Sequence, residues 1–215
     1  MEELAERKTA QLKRLYATLS QVNQIIVRVK EREELFQTIC DVAVQFGELP
    51  LAWVGLLDET SGDVLPMFAN GLDVKNWPLP IVNIHTGPLS EGLVAQSRRS
   101  SSVVISEDVQ ADKHLQVLHN PFDQYGFHSS AVVPFRLRGR TIGVLTLISQ
   151  EIGLFRDAEE IRLLNEMGLD ISFALDNMEN EKERKKRKML SNVMSMFCGY
   201  LWNTPPPPLP CLTVR

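Results

Sequence analysis

The stretch Gln124–Gln150 most constrains what this chain can fold into. Two apolar, β-branched-rich runs flank Arg138-Gly139-Arg140, the pattern of a β-hairpin closed by a tight turn. In the first run Ala131, Val133, Phe135 and Leu137 alternate with Ser130, Val132, Pro134 and Arg136. In the second, Ile142, Val144, Thr146 and Ile148 alternate with Gly143, Leu145, Leu147 and Ser149. Both sets are largely apolar, so the hairpin needs cover on both faces. A strand pair inside a sheet, with a layer on each side, supplies it.

Length allows one good core with extensions, because the chain has 215 residues. A net charge of -4 argues against a dedicated nucleic-acid binder. The three cysteines, Cys40, Cys198 and Cys211, are too scattered to suggest a zinc site or a disulfide framework. The charged start M-E-E-L-A-E-R-K lacks the apolar run of a signal peptide. No run of about 18 apolar residues is present, so no membrane span is expected and the reading is cytoplasmic.

Residues 2–30 read as one helix with a narrow heptad-type seam, Leu12, Leu15, Leu19, Val22, Ile26 and Val29. Such a seam needs a second helix to cover it, and both its own domain and a second copy of the chain are candidates. A homodimer interface is therefore expected along these six residues. A second helix is predicted over Glu33–Phe46, with Cys40 on its apolar stripe and Gly47 as the residue that ends it in positive φ. Residues 51–69 then show period two and a turn, an antiparallel hairpin. Short elements follow: an apolar run at 79–84, a helix over 89–99 and a strand over 103–105. Residues 113–119 suggest a short helix that Pro121 disturbs.

After the hairpin, Asp157 and Glu160 form a capping-box-like pair opening a long helix. Its stripe of Ile161, Leu164, Met167, Ile171, Ala174 and Met178 gives way to the charge run of residues 179–188, a solvated continuation. Residues 189–215, with the run T-P-P-P-P-L-P, are expected to be a disordered or foreign tail. The expected organisation is thus an N-terminal helix (1–30), a domain over 31–178, a charged extension (179–188) and the tail.

The order of elements, the stretch Y-G-F-H-S-S-A-V-V-P-F-R-L-R-G-R-T-I-G-V-L-T-L-I-S and the closing F-R-D-A-E-E-I-R-L-L-N-E-M-G-L-D-I-S-F-A-L-D-N resemble a GAF domain over about residues 14–180. The resemblance implies an α+β fold, layered α/β/α. A central antiparallel sheet would carry a ligand-pocket segment on one face and the N- and C-terminal helices bundled on the other. It also implies a sensory module of a larger signalling protein, of two-component or cyclic-di-GMP type. The terminal helices would pair in a dimer and pass its state to an output domain. Specialised members are not matched: residues 106–128 hold no cysteine for a bilin, and Asn120, Phe122 and Asp123 only echo a cyclic-nucleotide signature. Cys40 lies on a helix rather than among the pocket cysteines of the GAF-fold methionine sulfoxide reductases.

The irregular segment Ser106–His128 holds His114, His119 and His128 among aromatic and acidic residues, a composition suited to a small-molecule pocket. The pocket candidates are Trp53, Asp108, His114, Phe122, Tyr125, Phe127 and His128. A planar ligand such as haem would need an axial histidine, with His114 the first candidate. His114 and His119 are five residues apart, on different faces of a helix, so no metal clamp is expected. No nucleophile, base and orienting partner can be assembled, nor is there a phosphate-binding glycine loop, and catalysis is not indicated. Three readings follow: a ligand sensor, a ligand-free dimerisation scaffold, and an unrecognised enzyme.

Overall fold

The computed structural model describes the backbone of residues 2–71 and 80–203, and the side chains of residues 6, 8–71 and 80–194. Two compact units are distinguished, Met1–Asp176 and Asn177–Arg215. The first holds α1 (Glu2–Ile26), α2 (Arg32–Gln45), β1 (Leu51–Asp58), β2 (Asp63–Gly71), β3 (Val82–Asn83), α3 (Leu93–Ser100) and β4 (Val104–Ser106). A 3-10 helix (Lys113–Leu118), α4 (His119–Gln124), β5 (Ser129–Leu137) and β6 (Arg140–Ser149) follow. Helix α5 starts in this unit and spans Ala158–Asn203.

The strands form one antiparallel sheet in the order β3-β2-β1-β6-β5-β4, so the predicted hairpin is internal, with β6 between β1 and β5. Its turn is two residues long, since Leu137 pairs with Arg140. Arg138 and Gly139 both take positive φ, 53° and 78°, which matches the right-handed twist of the flanking strands. The Arg138 amide donates to Asp176 Oδ1 at 2.7 Å, tying the turn to α5.

Each strand divides its side chains between two cores. Leu51, Trp53, Val132, Val144 and Ile148 point to one face, where they meet Leu93, Val94, Leu115 and Phe122 of the covering segments. Ala52, Val54, Ala131, Val133, Phe135, Leu145 and Leu147 are buried on the other. There Phe36 of α2 packs on Phe135 at 5.1 Å and on Phe68 at 5.7 Å between ring centroids. Each fully buried side chain of this size contributes roughly 1.5–3 kcal/mol. This is the expected α+β architecture, with a pocket segment on one side and the terminal helices on the other.

The middle of the α1 heptad seam is covered inside the chain. Leu15, Leu19 and Val22 are 4%, 7% and 0% exposed, so this part of the seam is covered within the chain. Leu12, Ile26 and Val29 are only half-buried, and Val29 lies beyond the end of the helix. Gly47 permits the close packing: a Cβ there would lie 3.2 Å from Thr18 Oγ1 and collide with the Ala43 carbonyl oxygen. The left-handed residue that follows α2 is Glu48, at φ 52°, rather than Gly47.

Pro121 does not disturb a helix but helps begin one. It occupies the first turn of α4, where its missing N–H is not needed, after a kink at Leu115. At the start of α5 the Asp157 amide donates to Glu160 Oε2 at 3.0 Å, one half of the expected capping box. The Asp157 carboxylate meets Lys8 of α1 at 2.8 Å.

In the second unit the helix continues through the charge run, with ion pairs Arg184–Glu181 and Arg187–Glu183 along its surface. It runs on to Asn203, so residues 189–203 continue the helix instead of starting a separate tail. The polyproline run and Asn76-Trp77-Pro78 lie outside the described residues.

Candidate functional site

A cavity of about 50 Å³ lies between the sheet and its irregular cover. Its floor is made by Trp53 of β1, Ser130 and Val132 of β5, and Thr146 and Ile148 of β6. Leu93 and Val94 of α3, Leu115 and Leu118 of the 3-10 helix and Phe122 of α4 close it from above.

Local sequence explains how the walls are held. Gly55, two residues after Trp53, leaves room for the indole to lie along the strand: a Cβ there would come within 2.7 Å of Trp53 Cζ3 and 2.6 Å of Val64 Cγ1. Asp112 caps the 3-10 helix, its side chain accepting from the His114 amide at 2.9 Å. Phe127, fully buried, supports Phe122 edge-on at 5.6 Å and stacks on Tyr125 at 5.7 Å.

Two of the seven expected pocket residues, Trp53 and Phe122, line the cavity. Phe127 and Tyr125 stand behind Phe122, and Tyr125 offers its carbonyl to Gln150 Nε2 at 3.0 Å. Asp108 and His128 form a separate, half-exposed pair with 3.9 Å between Oδ1 and Nδ1. The Asp108 carboxylate also accepts from the Gln110 amide at 3.1 Å. His114 is exposed and does not line the cavity. His119 lies near the Asp112 carbonyl, its Nε2 3.2 Å from the oxygen. Among the described residues no group of three or more His, Cys, Asp or Glu could hold a metal ion.

The two hydroxyl residues that line the cavity, Ser130 and Thr146, were not singled out by the sequence, where histidines and carboxylates are more conspicuous. Ser130 Oγ donates to the Leu147 carbonyl at 3.2 Å. Thr146 is 4% exposed, and its Oγ1 is buried with no hydrogen-bond partner. The available signal was their alternation: both fall on the same face of the hairpin as Val132, Val144 and Ile148.

Cys40 stands on the other side of the sheet. It lies on α2, its thiol near the Val54 backbone, and burial pushes its pKa up to about 12. At neutral pH it is a protonated, buried group rather than a nucleophile. No helix among the described residues is long and apolar enough to cross a membrane.

Comparison with known proteins agrees with this architecture. A free methionine-R-sulfoxide reductase from Neisseria meningitidis, solved with its substrate, is similar at 17% identity, with 78% of this chain and 91% of that chain covered and a TM-score of 0.64. The GAF domain of a phosphoenolpyruvate-protein phosphotransferase from Coxiella burnetii is 12% identical over 80% of this chain and 98% of its own, with a TM-score of 0.61. The GAF domain of A. Aeolicus nlh2, solved in an inactive state, is 11% identical over 79% of this chain and 97% of its own, with a TM-score of 0.57. At these identities the likeness is one of fold. No curated protein matches in sequence. The sequence model of the GAF domain matches residues 29–176, from just before α2 to the part of α5 that packs on the hairpin turn. With sheet order, layers and family model in agreement, the chain belongs to the GAF domain family.

Proposed function

We propose that this chain is the small-molecule-sensing module of a signal-transduction protein, with its output carried elsewhere. The observation that supports this reading is the cavity between the sheet and a cover built from three short helices and their connections. A cover of short elements can adjust to a ligand more readily than a long helix, because fewer contacts hold each piece. Helix α5 begins in the sensing unit, where the Arg138 amide of the hairpin turn donates to its Asp176, and this contact supports a role for it in relaying a change at the sheet.

Dimerisation through the terminal helices is part of the proposal, by a different face from the heptad seam. On α5, Leu169 and Phe173 are one turn apart and 62% and 65% exposed. A catalytic role like that of the methionine sulfoxide reductases is not supported by Cys40, which is buried away from the cavity.

Thermal melting of the purified protein against a metabolite panel, followed by native mass spectrometry, tests the sensing reading. A ligand at 100 times its Kd should add about 2.7 kcal/mol of stability. A protein that no compound stabilises, and that carries no extra mass, would instead be a scaffold.

A further inference from the structure

We infer that the last part of α5 is a membrane-surface helix, whose exposed apolar face seats in an anionic bilayer next to a run of basic residues. The apolar face comes first. Met189, Leu190, Val193 and Met194 are 71%, 55%, 43% and 68% exposed, four residues within a window of six. Single exposed hydrophobics are ordinary on a protein surface, but a contiguous patch marks an interaction. These four fall at helical spacing on one side of α5, and the sequence repeats that spacing at Phe197, Tyr200 and Leu201. Ser191 and Asn192 fall on the other side, and neither is charged.

Charge decides what covers this face. Immediately before it, residues 182–188 are all basic except Glu183, and beyond Glu183 the sequence contains no Asp or Glu. Arg187 pairs with Glu183 at 3.7 Å and Arg184 with Glu181 at 3.1 Å, while Lys185, Lys186 and Lys188 stand exposed. A second copy laid parallel to this helix would set the two basic runs against each other. An antiparallel copy would cover the apolar face and leave both basic runs unmatched. Nucleic acid would match the charge and leave the apolar face in water. A bilayer with anionic headgroups meets both at once, with acyl chains against Leu190 and Val193 and phosphates at the lysines.

Length sets the orientation. Residues 189–203 rise about 22 Å as a helix, short of a hydrocarbon core of about 30 Å. The helix therefore lies in the plane of the surface and does not cross it.

The full chain is mixed with phosphatidylcholine vesicles, with or without phosphatidylserine, and bound protein is separated by sedimentation. Binding is expected with phosphatidylserine, and should be at least about 25-fold weaker without it. It should fall as salt is raised from about 0.1 M to about 1 M. Amide exchange of residues 189–203 should slow on the vesicles. Each lysine near such a surface is worth about fivefold in binding, so Lys185→Gln with Lys186→Gln should lose about 25-fold. Leu190→Asn with Val193→Asn should lose at least about tenfold, since it removes apolar area from the seated face. Both pairs are exposed positions outside the Met1–Asp176 unit, so neither should unfold it.

Equal binding to the two kinds of vesicle, or binding unaltered by the Asn pair, would overturn the proposal. So would tighter binding to duplex DNA than to phosphatidylserine vesicles. Self-association in buffer that the Asn pair abolishes would assign the face to a second copy and overturn it too.

Discussion

The ring of Phe135 lies across Gly143, its partner in the β5–β6 register. A Cβ on Gly143 would come within 2.5 Å of Phe135 Cζ and 2.5 Å of the Gly55 carbonyl oxygen. That close approach lets Phe135 reach Phe36 and join the sheet to α2. The glycine at this place in the hairpin is thus a packing requirement, not a turn.

Gly143→Ala should destabilise the protein by about 2–3 kcal/mol, because neither the backbone nor the ring can yield cheaply. Gly139→Ala gives a contrast. Gly139 has open space around it but φ 78°, so the cost there is backbone strain alone, about 1 kcal/mol. Urea denaturation of both variants checks the order; equal values would refute the packing account.

The two exposures on the terminal helices predict opposite phenotypes. Val22→Asp buries a charge in a site that is 0% exposed, and should cost at least about 3 kcal/mol at any protein concentration. Leu169→Glu with Phe173→Glu changes exposed positions and should alter the stability of a monomer by less than about 0.5 kcal/mol. If the proposed dimer uses this face, sedimentation of the double variant will show monomer, and an unchanged profile will move the interface elsewhere.

Cys40 should resist iodoacetamide under native conditions at pH 8, since its thiol is pushed up to about 12 and lies within the core. Mass spectrometry of the peptide containing Cys40 should find it modified only after unfolding. Rapid native labelling would show that α2 opens.

Glu159 and Glu160 are adjacent and should respond to acid in opposite senses. Hydrogen bonds from Arg162 and then Tyr16 hold Glu159 down at about 2. Its contribution is present above its ordinary pKa near 4.5 and is lost as pH falls toward 2. Burial raises Glu160, so its ionised form weakens the fold as pH rises through and above its ordinary range. The melting-temperature gap between wild type and Glu159→Gln should therefore narrow as pH falls from 4.5 toward about 2. Glu160→Gln should gain on wild type as pH rises. Parallel pH profiles for the two variants would contradict both assignments.

Gly55→Ala should disturb the cavity from a distance. The added methyl forces the Trp53 indole or Val64 to move, so ligand binding should weaken about tenfold or more even where the protein still folds. Trp53 fluorescence and a binding titration report the two effects separately.

Much of this protein is local in origin and was legible in the chain itself. Alternation along Ala131–Leu137 and Ile142–Ser149 determined an internal hairpin, because period two with both faces apolar has few other solutions. The capping pair at Asp157 and Glu160 marked the start of α5 for the same local reason. Which partner covers a face is not local. The heptad seam of α1 reads identically whether α2 or a second copy covers it, and only the folded chain shows Leu15, Leu19 and Val22 buried within. The cavity was decided in the same way. Histidines and carboxylates are conspicuous in Ser106–His128, yet His114 turns outward and Asp108 caps a turn. Ser130 and Thr146 join the cavity lining through strand register, which places them on the covered side of the sheet. Sequence determines which residues share a face; tertiary packing decides what that face meets.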